Sequence, residues 1–451
     1  MPTRRHFLKT VLPLPVFCAT PFIVPSHVVS QTAQGQTLPN DRLVMGLIGT
    51  GRQCYHHNIP GFVRNVRNQV VALCDVDVWR LAESKKKVEE LYDKSVSLTK
   101  PKEIRTYTDY KELLARSDID AVMISTPDHW HTDQAINAMK AGKHVSLEKP
   151  IIRTVYEGQL LVQTAAETKR IFRVDSEFRS QKSAHQAAEL VCNGRLGTIK
   201  KVLVCVPESD VAIPRAQCPD MPVPAELDYE RWQGNAPKAP YTLNRVHTPQ
   251  NIGARPGWMR HLYYCDGMVT NWGTHLLNGC LWALGLDRTF PVEIRGTGTY
   301  PDASSFWNVL LSFEIHYRYK NGLEIVYKTD KPFYRIEGEK GTLTVSFDWQ
   351  DLGGGIKGIK AEPESLLSKP FPDSAIHFPL RSEKEDFIDC CLTGQETLEP
   401  ATVGHHVTST LLLGHIAVRT GETITFDPDA EKFIDGPSAK VYFDKPIVGI
   451  P

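Results

Sequence analysis

The chain reads as an α/β domain built on a parallel sheet, followed by an α+β domain with a large, mostly antiparallel open sheet. Three observations carry that reading. From Arg42 to about Val174, short β-branched apolar runs alternate with longer stretches of helical spacing, the pattern of βαβ units. Beyond about residue 197 the pattern changes to strands that alternate apolar and polar side chains, as in a sheet packed on one face. The length, 451 residues, is too great for one small core. The divisions fall at 1–40 for a leader and linker, 41–175 for the first domain and 176–451 for the second, whose last helices can pack back on the first.

In the first domain, Leu43–Ile48, Gln69–Cys74, Ala121–Ser125 and His144–Leu147 predict strands. Val78–Tyr92, Tyr110–Arg116, Thr132–Ala141 and Val155–Lys169 predict helices. Asp109 and Thr154 suit N-caps, Gly142 suits a helix stop, and Ser95–Arg105 is an inserted loop. In the second domain, helical spacing covers Ser183–Cys192, Asn271–Leu284, Ser382–Thr393 and Gly404–Thr420. Gly197–Pro207, Val292–Tyr300, Phe306–Tyr319, Leu323–Thr329, Phe333–Glu337 and Thr342–Phe347 predict strands, with a hairpin turn at Lys320-Asn321-Gly322. Pro207–Pro256 is dense in proline and lacks periodicity, so it is expected to wrap the surface and line the site.

Composition narrows the function. The chain is 41% hydrophobic and 23% charged with a formal net charge of zero, so no basic excess is available to neutralise a nucleic acid. No apolar run after the N-terminus is long enough to span a bilayer. Thr3-Arg4-Arg5-His6-Phe7-Leu8-Lys9, followed by a moderately apolar stretch to Val29, matches a twin-arginine signal and predicts export to the periplasm or another extracytoplasmic compartment. The ten cysteines include no Cys-x-x-Cys pair, and Cys74 and Cys205 sit in apolar runs, so no disulfide framework is expected; Cys218 and Cys390-Cys391 stay open.

The first strand runs into Gly49-Thr50-Gly51-Arg52-Gln53. Gly49 allows a tight turn and Gly51 lets backbone N–H groups approach a pyrophosphate, although Cys54 stands where a third glycine is usual. Asp75 ends the next strand, 24 residues beyond Gly51, where a carboxylate accepts from ribose hydroxyls and favours NAD, with NADP still open. This predicts a Rossmann dinucleotide-binding domain. Val145-Ser146-Leu147-Glu148-Lys149-Pro150 then places Glu148 and Lys149 at the carboxyl end of a buried strand, the edge where ligands of such sheets sit. Lys149 there can exchange a proton with a substrate hydroxyl.

Four motifs, in order, complete the pattern: Gly49-Thr50-Gly51, Ser125-Thr126-Pro127-Asp128-His129-Trp130-His131, Glu148-Lys149-Pro150 and Asn271-Trp272-Gly273-Thr274-His275. The chain resembles the family of glucose–fructose oxidoreductase, inositol dehydrogenase and rhizopine-catabolism proteins (Gfo/Idh/MocA), and its start and Asp-His-Trp-His form look like the exported branch. The resemblance implies a Rossmann domain, an open-sheet domain that often serves as an oligomer interface, an NAD or NADP cofactor, and a sugar, polyol or glycoside substrate. It implies Lys149 as the catalytic lysine, Glu148 at the nicotinamide ribose, and Ser125, Thr126 and Pro127, with His131, along the nicotinamide side.

The fourth motif departs from the better-known form, with Asn271 in place of an aspartate and His275 kept four residues later. On one helix the pair shares a face and is expected to point into one cleft, Asn271 orienting a hydroxyl while His275 and Lys149 handle protons. Asp266, just upstream, is a candidate for the missing carboxylate. Arg179, Asn244, Arg245, His247, Trp258, Arg260 and Tyr264, in loop-rich segments, have the composition of a carbohydrate site. His129 and His131 lack an evident third ligand, so no metal is expected.

The expected reaction is hydride transfer at a secondary hydroxyl with the cofactor held tightly, since free NAD is scarce outside the cytoplasm. Alternatives are a redox-neutral cycle through a keto-sugar, cleaving or epimerising a glycoside, and a non-catalytic sugar-binding protein of the same fold.

Overall fold

The computed structural model describes residues 42–209, 213–352, 357–368 and 370–449. The twin-arginine motif, the apolar stretch behind it and the linker Gln31–Pro39 lie outside the described residues.

The first sheet contains β1 (Leu43–Ile48), β2 (Asn68–Cys74), β3 (Arg105–Tyr107), β4 (Ala121–Ile124), β5 (His144–Glu148) and β6 (Phe172–Asp175). Its order is β3-β2-β1-β4-β5-β6 and every pairing is parallel. The order reverses between β1 and β4, whose carboxyl ends deliver Gly49 and Ser125 to the same crevice. Helices cover both faces, which is why β1, β2, β4 and β5 read as nearly continuous apolar runs. Asp77 caps the helix Val78–Asp93, and Thr154 with Glu157 forms a capping box on Val155–Thr168. The sequence reading missed β3, because three largely exposed residues carry no periodic signal.

The second sheet contains β7 (Ile199–Val206), β8 (Glu293–Thr299), β9 (Ser312–Arg318), β10 (Glu324–Thr329), β11 (Phe333–Gly338), β12 (Gly341–Val345), β13 (Ile359–Glu362), β14 (Ile424–Asp427) and β15 (Lys432–Asp435). The order is β13-β12-β11-β7-β10-β9-β8-β14-β15, and only the β7–β10 pairing is parallel. Val202, Val204, Ile315, Tyr317, Ile325 and Tyr327 pack inward against Leu276, Leu281 and Leu411 from the helices Gly273–Leu284 and Ala401–Thr420. The other face carries exposed pairs such as Arg318–Glu293, Arg295–Glu324 and Lys360–Glu362.

Two elements differ from expectation. The strand predicted over Phe306–Tyr319 begins only at Ser312, because the preceding backbone bonds elsewhere: Phe306 N donates to Ile213 O (2.7 Å) and Asn308 N to Arg260 O (3.1 Å). The helix predicted over Asn271–Leu284 is two helices, Met268–Asn271 and Gly273–Leu284, joined at Trp272.

The domains are interleaved at two places. Phe387 and Ile388, on the helix Glu383–Thr393, join Leu47, Phe62 and Val63 in a first-domain core, and Lys384 Nζ donates to Asp175 Oδ2 at 2.7 Å. Full burial of each such apolar side chain contributes about 1.5–3 kcal/mol. Residues 226–251 form a strap over the first domain. Val78 N donates to Glu226 O and Asp228 N to Val76 O, both at 2.9 Å, and Arg80 donates to Thr248 O (3.2 Å) and Asn251 O (3.1 Å).

Candidate active site

The strap and the carboxyl ends of β1, β2, β4 and β5 enclose a cavity of about 620 Å³, a size suited to a small molecule or cofactor. At its base Gly49 has φ of +82°, and a Cβ there would lie 2.7 Å from backbone atoms of Ser125 and Thr126, so the turn excludes a side chain. Around Gly51 the corresponding space is open. These features fit a dinucleotide: one glycine closes the turn onto β4, and the other leaves backbone accessible to a pyrophosphate.

Of the residues expected to hold the cofactor, Gly49, Gly51, Arg52, Gln53, Asp75, Ser125, Thr126, Pro127, His131, Glu148 and Lys149 line this cavity. Thr50 does not. It is fully buried, and its N–H (2.6 Å) and hydroxyl (3.0 Å) both donate to Asp75 Oδ2. Asp75 Oδ1 accepts from Asp77 N at 2.9 Å, so this carboxyl braces the glycine turn and the strand end. Burial pushes the Asp75 carboxyl up, opposed by those N–H donors. Asn58 Nδ2 donates to Ser125 Oγ (2.8 Å) and Glu148 Oε1 (3.1 Å), fixing Glu148 on the wall, and burial raises the Glu148 carboxyl against the pull of Lys149 and Lys384.

Lys149 Nζ lies 3.4 Å from both the side-chain oxygen and the backbone carbonyl of Asn271. The Rossmann domain and the second domain therefore meet at a proton-carrying group and a neutral amide. His275 does not join them on the cavity wall. His275 packs against Trp272 and Phe347 with Nδ1 3.4 Å from Ser176 Oγ. Burial and the nearby Lys149 charge hold its imidazole well below the ordinary range, so it is neutral.

Trp258 lines the cavity, as does His247, which pairs with Asp77 Oδ2 at 3.0 Å; the other expected sugar contacts lie elsewhere. Arg179 is 1% exposed and bound to Asn278, Asp287 and Glu399, a buried charge satisfied inside the second domain. Arg245 is buried, donating to Pro240 O and contacting His261 Nε2 at 3.0 Å. Asn244 Nδ2 donates to Cys218 Sγ, and Tyr264 is buried among Trp232, His129 and His261. Asn244, Arg245 and Tyr264 tie the strap to neighbouring loops and Arg179 braces the second domain, roles that loop composition alone did not distinguish from sugar binding. Asp266 is likewise no cavity carboxylate: Arg153 (3.1 Å) and His415 (3.2 Å) bind it in the interior. Arg260 lines a small adjoining recess with Asn271.

Each ring nitrogen of His131 meets a backbone carbonyl, Pro150 O at 2.7 Å and Thr126 O at 2.8 Å, so this histidine braces two turns. Burial pushes it down to about 4 and His129 down to about 3. No three His, Cys, Asp or Glu side chains converge as metal ligands among the described residues, and the cysteines there are free. Sequence reasoning passed over Asp128, Trp130, Arg231, Trp232 and Asn235, which also line the cavity. Asp128 and Trp130 stand inside the second motif; Arg231, Trp232 and Asn235 needed the strap's path to be known.

Residues 43–176 match the model of the oxidoreductase family's NAD-binding Rossmann fold, and residues 211–449 match that of its C-terminal alpha/beta domain. The chain belongs to the Gfo/Idh/MocA oxidoreductase family, and its first domain is the NAD-binding one. A glycosyl hydrolase family 109 protein from Shewanella pealeana is 36% identical over 183 residues, 37% of this chain and 38% of that protein. An alpha-N-acetylgalactosaminidase from Shewanella oneidensis is 32% identical over 180 residues, again 37% and 38% of the two chains. The chain thus spans well under half the length of these curated relatives. Among solved structures, the aldose-aldose oxidoreductase from Caulobacter crescentus complexed with glycerol aligns with TM-score 0.60 and 19% identity, covering 85% of this chain and all of that one. The WlbA dehydrogenase from Bordetella pertussis, in complex with NADH and UDP-GlcNAcA, gives 0.60 and 18% over 86% and 99%. At these identities the likeness is one of fold.

Proposed function

We propose that this protein is an NAD-dependent oxidoreductase acting on a secondary hydroxyl of a sugar, polyol or glycoside, with its cofactor retained between turnovers. The observation that carries this reading is Lys149 Nζ beside Asn271, in the cavity that the glycine turn closes. Gly49, Gly51, Asp75, Ser125–Pro127 and Glu148 would hold the cofactor. Bound nicotinamide supplies the hydride acceptor and donor. Lys149 takes the hydroxyl proton during oxidation and returns it during reduction. Asn271 orients that hydroxyl through its amide without titrating, and Trp258 offers an aromatic face to the sugar. The strap contacts around Asp77 and Arg80 support retention of the cofactor.

The proposal includes export by the twin-arginine signal and homo-oligomers formed through the open face of the second sheet. Light scattering of the purified protein tests the assembly, and a monomer at micromolar concentration counts against it. The test of function is addition of a sugar and polyol panel to protein carrying its own cofactor. Appearance of the reduced-nicotinamide absorbance is expected. Absence of any extractable nucleotide, together with sugar binding, would instead favour a non-catalytic binding protein.

A second reading, glycoside cleavage with no net redox change, is favoured by the names of the Shewanella relatives. It predicts release of an aglycone without accumulation of reduced cofactor.

A further inference from the structure

We propose that Asp128 is the general acid that protonates the departing oxygen of a glycoside, a role that rests on the redox-neutral reading above. Asp128 follows β4 as Lys149 follows β5, and these neighbouring parallel strands pair Ile124 with Leu147, so both groups sit over adjacent strand ends. Both line the cavity with Asn271 and Trp258. Asp128 is 5% exposed, and among the described residues its carboxyl bonds to no other residue, only to its own backbone N–H. A buried carboxyl with no outside partner avoids the cost of a buried charge by keeping its proton, and such a group in a cleft is a candidate for acid–base work. The charged groups facing it are Arg153, Lys149 and Asp266. Burial, opposed by Arg153 and Lys149, pushes its pKa up to about 8, so it carries a proton at neutral pH.

The step balances as follows. Oxidation of a ring hydroxyl, whose hydride the nicotinamide held by the first domain would take up and later return, gives a ketone, and Lys149 keeps the hydroxyl proton against the new carbonyl oxygen. The acidified neighbouring C–H loses its proton to solvent, and its electron pair becomes a C=C bond. The bond to the glycosidic oxygen then breaks with its pair on oxygen, and the Asp128 O–H supplies the proton that oxygen needs. Water adds to the C=C bond, giving one proton back to Asp128 while the adjacent carbon regains one from solvent. Reduction of the ketone closes the cycle, and the net reaction is hydrolysis.

The experiment compares methyl and nitrophenyl glycosides of glucose, galactose and their 2-acetamido analogues, using wild type and Asp128→Asn with cofactor content matched. Nitrophenolate leaves without protonation and methoxide does not. In a single turnover, where release precedes water addition, Asp128→Asn is expected to slow methanol release about 10²–10⁴-fold and nitrophenolate release less than about tenfold. Equal losses on both, or none on either, would overturn the proposal. The wild-type rate–pH profile gives a test free of folding defects: cleavage of the methyl glycoside should fall above about pH 8 while the nitrophenyl rate does not. Parallel profiles overturn the assignment. If wild type cleaves no glycoside but reduces its cofactor with sugars, the redox-neutral reading fails and this role with it, leaving the oxidoreductase reading intact.

Discussion

Lys149 Nζ faces two oxygens of one residue, the side-chain and main-chain oxygens of Asn271, each at 3.4 Å. Both are neutral acceptors, so the groups that orient the ammonium by contact carry no charge, while Glu148 and Asp128 act on it through space. The better-known aspartate at this position would act differently, and the contrast sets the first two predictions.

Lys149→Ala is expected to lower turnover by about 10²–10⁴-fold, the usual loss for a positioned proton-transfer group. The glycine turn and Asp75 are untouched, so nucleotide content should match wild type. Stopped-flow reduction with a verified substrate, alongside extraction of the cofactor, checks both halves; near-wild-type turnover would remove Lys149 from the mechanism.

Asn271→Asp places a negative charge close to the ammonium and favours its charged form. Oxidation at neutral pH should slow relative to wild type while nucleotide content is unchanged, because the new carboxylate holds the proton that Lys149 has to exchange. An unchanged rate–pH profile would put Asn271 outside the proton path.

The strap should loosen in acid. His247 pairs with Asp77, and burial holds its imidazole below the ordinary value. A base with a lowered folded pKa binds protons more readily when released, so its contribution is intact above about pH 6.5 and fades as pH falls toward the folded value. Burial pushes the Asp77 carboxyl up, but donation from His247 and Arg80 N leaves it lowered, so its contribution is lost at still lower pH. Cofactor release measured from pH 8 to 4 should therefore accelerate below about 6.5, and His247→Gln should flatten the upper part of that rise. Release independent of pH would refute the latch.

Gly49→Ala forces a methyl group to within 2.7 Å of Ser125 and Thr126 backbone and strains a φ of +82°. The expected cost is about 1–3 kcal/mol, with loss of bound nucleotide. Gly142→Ala, also at positive φ but with open space around its Cβ, is the control for conformational strain alone. The two variants losing cofactor equally would contradict the steric argument.

Arg153→Met should destabilise the fold by about 3–5 kcal/mol, because it leaves Asp266 buried with its principal counter-charge removed. Denaturant titration measures this, and Asp266→Asn in the same background should restore part of the loss.

The parts legible in sequence were those written locally. Gly49, Asp75 and Lys149 each end a strand whose apolar run is continuous, so strand end and functional residue are read together. Direction was not legible. Arg179 and Arg245 had suitable chemistry in loop-rich segments, but their inward course depends on Glu399 and His261, partners that local pattern cannot assign. His275 shows the same limit, since its contacts with Trp272, Phe347 and Ser176 are set by tertiary packing that spacing along one helix does not report. The unpredicted β13, β14 and β15 have only four residues each and take their form from strand partners.

The return of Glu383–Thr393 to the first domain bears on how this architecture can be recombined. A chimera cut once near residue 176 would leave the donor's Phe387, Ile388 and Lys384 facing a foreign surface, and would strip the nucleotide half of part of its interior. A transplant that keeps the nucleotide half intact has to carry two separate pieces of gene, one ending near 176 and one spanning the helix at 383–393. Shuffling of specificity between relatives is thereby easier through the second sheet than through exchange of whole halves.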